Sequence, residues 1–404
     1  MGKDFAQVRV ESEAETIRSV AIISSIAYSL ANFRGPLIRT MVDAGLRVYA
    51  MAPDHDEKTR AAVRQFGAEA VDFSLDRTGM HPVRDAIDTI RLMWQLRRLK
   101  PDLAFNYFIK PVIFGSVAAK LAGVRHRYAM VAGLGYVYTS DSSGLTLKRR
   151  ALRAGVSTLY RLAFKLCRRV FFQNDDDVRE FVSAGLIDPE RIRRINGTGV
   201  DLDRWQPAPP VPSPPTFLLM ARLLREKGIF EYVEAARAVR MLHPEARFIL
   251  LGATDPNPGG LSRKQVEAWH AEGVVEWHGH VDDVRPWIAA SGVYVLPSYR
   301  EGKPRSTQEA MAMARPIITT DAPGCRDTVD DGVNGFLVPV GDCDALAGAM
   351  LRFVDDPLLV GRMGAESRRL AEERFDIRVI NEVLLGEMGI VVSTAGCLAS
   401  RPAG

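Results

Sequence analysis

Six prolines fall within ten residues at 206–215 (QPAPPVPSPP), and this stretch divides the chain into two parts of nearly equal length. Proline fixes φ and lacks a backbone N–H, so neither a helix interior nor a central strand can pass through such a segment. It reads as a stiff linker between domains. A chain of 404 residues also exceeds what one hydrophobic core encloses, since single cores stop growing near about 250–300 residues.

On each side of the linker, short apolar runs alternate with amphipathic stretches of helical period. Before it, strands are expected at 18–24 (RSVAIIS), 46–52 (LRVYAMA), 68–73, 102–108 (DLAFNYF), 126–131 and 169–173. Helices are expected at 33–44, ahead of Gly67, at 82–99 and at 111–121. After the linker, strands at 216–220 (TFLLM), 246–251, 274–277, 292–296 and 316–320 alternate with helices at 229–242, 262–271, 284–290 and 306–314. A Gly-rich turn at 331–335 and helices at 344–353, 357–373 and 376–388 follow. This alternation predicts βαβ units and parallel sheets. The fold class is therefore α/β, with two Rossmann-like, doubly wound domains facing across a cleft. The expected boundaries are a tail at 1–16, a first domain at 17–205, a second domain at 216–375 and a tail at 391–404. Helix 376–388 is expected to pack back on the first domain. In sheets of this kind ligands sit at the carboxyl ends of the strands, here between the two domains.

Composition narrows the setting. No run approaches the about 20 apolar residues that span a bilayer, and the N-terminus (MGKDFAQVRVESEAETIR) lacks the apolar core of a secretory signal. Cys167, Cys325, Cys343 and Cys397 are too scattered for a metal or redox motif, so the expectation is a reducing, cytoplasmic setting without disulfides or zinc. Charge is uneven. Residues 1–200 hold 31 Lys+Arg against 21 Asp+Glu, and the remainder 22 against 28. The basic half favours an anionic partner. No nucleic-acid reader motif accompanies the charge, so nucleic acid is not expected.

Two stretches carry chemistry. In 294–320 (YVLPSYREGKPRSTQEAMAMARPIITT), Glu301 stands after a strand and Glu309 in the first turn of the next helix. Both would point into the cleft, where carboxylates accept hydrogen bonds from sugar hydroxyls. Ser306 and Glu309 also have the spacing of a capping box, in which Glu309 would only satisfy its own helix. In 220–228 (MARLLREKG), Arg222 and Lys227 lie between a strand's end and a helix N-terminus, where an anion would bind. Two cations at such a point favour phosphate binding over ordinary solvated charge.

With these motifs in order, the chain resembles the retaining glycosyltransferases of family 4, of GT-B fold. The resemblance rests on the Arg…Lys-Gly element at 222–228 and on the Glu-x7-Glu element written here EG-x-P-x5-EAMA. Residues 279–284 (GHVDDV), 295–298 (VLPS), 321–335 (DAPGCRDTVDDGVNG), 172–177 (FQNDDD) and 196–203 (NGTGVDLD) extend it to roughly 17–388. It implies a metal-independent hexosyltransferase with a nucleotide-sugar donor, a UDP-sugar above all, and no cofactor. Arg222 and Lys227 would hold the donor diphosphate, Glu301 the transferred sugar and Glu309 the ribose hydroxyls. Backbone N–H groups of Gly302, Lys303, Pro304's loop and Arg305, next to Ser306, would touch the sugar or β-phosphate. The base would lie against 252–256, beginning at Gly252, and near Gly279 and Val281. The resemblance also implies retention through a same-face displacement, with the leaving phosphate taking the acceptor proton.

Two departures fall on the acceptor side. Relatives often place a His-Gly pair after the fifth strand, where this chain has Ala132-Gly133-Leu134-Gly135. Paired glycines after the first strand are replaced by Ser24-Ser25-Ile26-Ala27-Tyr28. Asn32, Arg34, Gly133 and Tyr136 are the candidate acceptor residues. The stretches 33–38 (FRGPLI) and 133–140 (GLGYVYTS) resemble a bacterial subgroup acting on undecaprenyl-diphosphate-linked sugars, among them transferases adding N-acetylgalactosamine to a lipid-linked diacetylbacillosamine. Residues 145–172 agree with a lipid-linked acceptor, since they contain eight cations and no anion, with apolar residues at helical spacing. Such a helix can rest on the anionic inner leaflet at about 1 kcal/mol per cation, or dock on the sheet with its charges in water. A UDP-sugar 2-epimerase of similar architecture and a catalytically inactive nucleotide-sugar-binding partner are the competing readings.

Overall fold

The computed structural model describes residues 17–76, 81–134, 138, 147–211, 213–255, 257 and 259–391, with the backbone alone for 147–149. Two parallel sheets organise them. The first contains β1 (Ser19–Ile23), β2 (Arg47–Ala52), β3 (Glu69–Asp72), β4 (Leu103–Tyr107), β5 (His126–Val131), β6 (Arg169–Phe172) and β7 (Ile192–Arg194), in the order β3-β2-β1-β4-β5-β6-β7. The second contains β8 (Thr216–Met220), β9 (Arg247–Leu251), β10 (Glu276–Trp277), β11 (Val293–Leu296), β12 (Ile317–Thr320) and β13 (Gly335–Val338), in the order β10-β9-β8-β11-β12-β13. In each sheet the strand order reverses once, between β1 and β4 and between β8 and β11, while all strands stay parallel. These are the switch points where a doubly wound sheet opens a crevice for a ligand. The central strands are near-continuous apolar runs because helices cover both of their faces.

Two details depart from the sequence expectations, and a third adds to them. β7 (IRR) and β13 (GFLV) are edge strands that sequence reading passes over, one too charged and the other entered from a glycine turn. The helix expected at 33–44 runs Gly35–Asp43, and an unexpected short helix, Ala27–Asn32, precedes it across a break at Phe33-Arg34. Pro36 is preorganised for the second helix's first turn, and a Cβ on Gly35 would stand 2.5 Å from the Phe66 ring. The stiff linker is also anchored to the protein. Buried Arg315 donates to the Ala208 and Pro209 carbonyls at 2.7 Å, fixing the segment to the second domain.

The chain's end returns to the first domain. Val200 pairs with the Phe375–Ile377 backbone, and helix Ile377–Glu387 then packs Leu384 and Leu385 into the core beneath β1. Tyr128 donates its hydroxyl to the Met388 carbonyl at 3.1 Å, and Arg193 holds Glu387 at 2.8 Å. Two crossings between the domains, at the linker and at this helix, fix how the sheets face each other.

Candidate functional site

Residues from both switch points line one cleft of about 360 Å³. Tyr28, Asn32 and Phe33 come from the segment after β1, while Ala221, Arg222, Lys227, Glu301 and Pro304 to Ser306 come from the loops after β8 and β11. After β8 the chain makes a short 3₁₀ turn, Arg225–Lys227, and enters helix Ile229–Leu242 through Gly228 at φ +70°. A Cβ on Gly228 would lie 2.1 Å from the Pro297 carbonyl, so only glycine permits both the left-handed turn and this approach to the end of β11. The consequence is local and chemical. The Lys227 ammonium pairs with the Glu301 carboxylate, and Ser298 donates to the same oxygen at 2.8 Å. Among the described residues the other Glu301 oxygen takes no hydrogen bond, which leaves it free for a ligand hydroxyl.

Arg222 lines the cleft half-exposed, with one guanidinium nitrogen 3.0 Å from Asp255. Burial pushes the Asp255 carboxyl up, but the Asn257 N–H and Arg222 outweigh it and hold the group below its ordinary value. Glu309 sits deeper. Burial raises its pKa above the ordinary 4.5 despite Arg305 at 2.8 Å. Arg305 ties three parts of the cleft together: it also donates to the Gly199 carbonyl at 3.0 Å and lies 4.8 Å from the Phe33 ring centre.

The capping box does not form. Helix Arg305–Ala312 starts from Pro304 with no side-chain cap, and Ser306 instead accepts the Tyr294 hydroxyl at 2.6 Å. Tyr294 has taken Ser306 and the helix's own Arg305, four residues earlier, has taken Glu309, which lines the cleft.

Other candidates are placed differently from one another. Gly302 is a point of close approach between the domains, where a Cβ would stand 2.8 Å from Ala132 and Gly133 backbone atoms. Asn174 donates to the Gly302 carbonyl at 2.7 Å across that contact. Gly133 therefore meets the second domain's loop, at φ +103°. Lys303 turns away from the cleft: its buried ammonium stands 3.4 Å from Asp327. The Gly252 N–H is spent on the Gly279 carbonyl at 2.8 Å, and Trp277 donates to the Gly252 carbonyl at 2.9 Å. Val281 lines the cleft beside Asp282 and Asp283.

On the acceptor side, Asn32 lines the cleft and Tyr136 lies outside the described residues. Arg34 requires a correction. It is buried, with its guanidinium 5.1 Å from the Tyr107 ring centre and 2.6 Å from the Met130 sulfur. Burial lowers its pKa to about 10. The helix break at Phe33 turns the next side chain inward under the β4 aromatics. Sequence reading missed Tyr28, Phe33 and Arg204 as cleft residues. The aromatic pair directly after β1 was the available signal for the first two.

The basic helix, Leu147–Leu166, docks its apolar side through Val156, Tyr160, Ala163 and Phe164. Arg153 pairs with Glu180, and Arg161 donates to the Ala184 and Gly185 carbonyls, so protein groups absorb part of the charge. Among the described residues no helix is long and apolar enough to cross a membrane.

Comparisons with known proteins point the same way. Residues 214–356 match the family model described as glycosyl transferases group 1. The chain is 27% identical over 353 residues to an N,N'-diacetylbacillosaminyl-diphospho-undecaprenol alpha-1,3-N-acetylgalactosaminyltransferase of Campylobacter jejuni, covering 84% of this chain and 90% of that protein. It is 26% identical over 302 residues to a UDP-Gal:alpha-D-GlcNAc-diphosphoundecaprenol alpha-1,3-galactosyltransferase of Escherichia coli, covering 69% and 72%. In fold it is similar to Anabaena HepE solved with UDP and glucose, at a TM-score of 0.72 and 18% identity over 93% of this chain and all of that one. That likeness confirms two Rossmann-like domains in the GT-B arrangement.

Proposed function

We propose the following reaction for this chain, a glycosyltransferase whose residues 214–356 match the glycosyl transferases group 1 model, and the way its cleft performs it. It transfers a hexose or N-acetylhexosamine from a UDP-sugar to an undecaprenyl-diphosphate-linked saccharide, with retention, in the assembly of a bacterial surface glycan. The reaction takes place on the cytoplasmic face of the inner membrane, where the chain sits peripherally. The observation that carries the reading is the placement of Arg222, Lys227, Glu301 and Glu309 on one cleft at the β8/β11 switch point.

As the bond between the sugar and the diphosphate breaks, negative charge grows on the departing phosphate. Lys227 stabilises it from the position its Glu301 pair sets, and Arg222 turns from Asp255 to join it when the donor binds, so little reorganisation remains for the moment of reaction. Glu301 holds Lys227 with one oxygen and receives a sugar hydroxyl on the other. Glu309 accepts from the ribose hydroxyls, and the base lies against Gly252, Gly279 and Val281. Pro304, Arg305 and Ser306 frame the sugar. The acceptor hydroxyl enters past Tyr28 and Asn32, attacks on the face the phosphate leaves, and gives its proton to that phosphate. With cations doing the work of a metal, none is required.

The acceptor class is supported by the two relatives whose names specify diphospho-undecaprenol sugars. The test is direct. UDP should be released from UDP-N-acetylgalactosamine, UDP-galactose or UDP-glucose only when an undecaprenyl-diphosphate-linked saccharide is supplied. Interconversion of UDP-sugars without acceptor would establish the epimerase reading instead.

A further inference from the structure

Helix Pro82–Leu99 is amphipathic in an unusual sense: it has two apolar faces. Leu92 and Leu96 pack inward with Asp85, Asp88 and Thr89. On the opposite side Val83, Ile87, Ile90 and Trp94 are 75%, 45%, 51% and 57% exposed. Their spacings of four, three and four place them within about 60° of the circumference at about 3.6 residues per turn. A helix that only covers a sheet presents polar residues to water there.

The charge flanking this stripe is chiefly positive. Arg84, Arg91 and Arg98 recur every seven residues along one side, and Arg97 stands on the other. Arg84 reaches Asp76 at 3.2 Å and Arg91 lies 3.8 Å from Asp88, and both arginines stay largely exposed. Both acidic residues of the helix are buried on the inner face, where Asp85 meets Lys110 at 2.8 Å and Asp88 accepts from Ser74 at 2.6 Å. Arg97 lies over the Trp94 ring and donates to the Leu121 carbonyl, which brings exposed Leu121 alongside. We propose that this face of helix Pro82–Leu99 is the surface that inserts into an anionic bilayer. Apolar side chains would enter the acyl boundary, Trp94 would sit at the headgroup level, and the arginines would meet lipid phosphates. A second copy fits less well, because pairing the stripe with itself would bring arginine rows together without an exposed anion on either helix.

The placement also serves the cleft. In a βαβ crossover the helix runs against the strands, so its first turn stands at the sheet's carboxyl edge. The Asp85–Lys110 pair fixes it there, beside the segment that follows β4. A membrane-embedded acceptor would therefore meet the cleft side of the first domain. This inference rests on the lipid-linked acceptor proposed above.

The test uses the full chain and vesicles of phosphatidylcholine with or without phosphatidylglycerol. Lipids brominated on their acyl chains should quench part of the wild-type tryptophan emission, and Trp94→Phe should abolish that part. The combined variant V83Q/I87Q/I90Q/W94Q should lose vesicle affinity on the order of 100-fold, given the apolar area withdrawn from the bilayer. R84Q/R91Q/R98Q should lose a similar factor on phosphatidylglycerol vesicles alone, at about fivefold per cation. Circular dichroism of both variants should match wild type, as should turnover of a short-chain, water-soluble acceptor. Wild-type vesicle binding by the apolar variant, or no acyl-chain quenching of Trp94, would overturn the proposal. So would a wild-type dimer that the apolar variant dissociates while neither protein binds vesicles. Absent turnover by wild-type protein would instead strike the acceptor assignment and leave the vesicle result standing.

Discussion

Replacing Lys227 with alanine separates catalytic from structural roles at the centre of the cleft. The ammonium is paired with Glu301, and the two side chains are 17% and 14% exposed. Truncation removes one fixed cation from the departing diphosphate. Removing one preorganised stabilising group costs about 100–1,000-fold in rate, or about 2.7–4 kcal/mol. The structural cost is smaller. Glu301 loses a cation but keeps the Ser298 hydroxyl at 2.8 Å and an open side toward the cleft. The destabilisation expected from one under-satisfied, partly solvated carboxylate is about 1–2 kcal/mol, a melting shift of a few degrees. Acceptor-dependent UDP release gives kcat and KM, and differential scanning fluorimetry gives the shift. K227A should therefore remain folded at assay temperature with kcat reduced at least about 100-fold. Lys227→Arg should recover part of the rate, since it restores charge in a different donor geometry. A K227A enzyme within about fivefold of wild type would refute the assignment of this cation to the leaving group.

Other perturbations follow from neighbouring contacts. Burial raises the Glu309 pKa, so this group takes up a proton sooner than an ordinary carboxylate as pH falls. Protonation removes acceptor capacity, so UDP affinity measured by calorimetry should decline on acidification while remaining above the ordinary carboxylate range, and E309Q should bind weakly with a flatter profile. Gly302→Ala places a Cβ against the first domain's backbone, so it should cost about 1–3 kcal/mol and part the domains, measurable as lower Tm and a larger radius of gyration in solution scattering. Chelation with EDTA should leave transfer rates unchanged, and a rate restored only by added divalent metal would contradict the role given to Arg222 and Lys227.

The frame of the molecule is legible because apolar runs and helical periods are local properties. The central strands β1, β4, β8 and β11 announce themselves as buried runs, and they set both switch points. β7 escapes because Ile192-Arg193-Arg194 carries no strand pattern; it pairs only because β6 offers an edge. At the site, the Arg…Lys-Gly and Glu-x7-Glu stretches identify the four cleft residues, but not their partners. Lys227 and Glu301 are 74 residues apart, and the pairing of β8 with β11 and the packing of Gly228 on Pro297 bring them together. The Ser306–Glu309 spacing is a local signal that Tyr294 overrides from the neighbouring strand and that Arg305, starting the helix one residue early, overrides from within it. Arg34 shows the reverse case, a charge whose burial depends on a helix break one residue earlier.

A crystal structure of the protein with UDP tests the central claim most directly. Arg222 should leave Asp255, and with Lys227 it should come within hydrogen-bonding distance of the diphosphate, while Glu309 takes the ribose hydroxyls. A diphosphate bound elsewhere, with Arg222 still on Asp255 and Lys227 turned from the phosphates, would contradict the account.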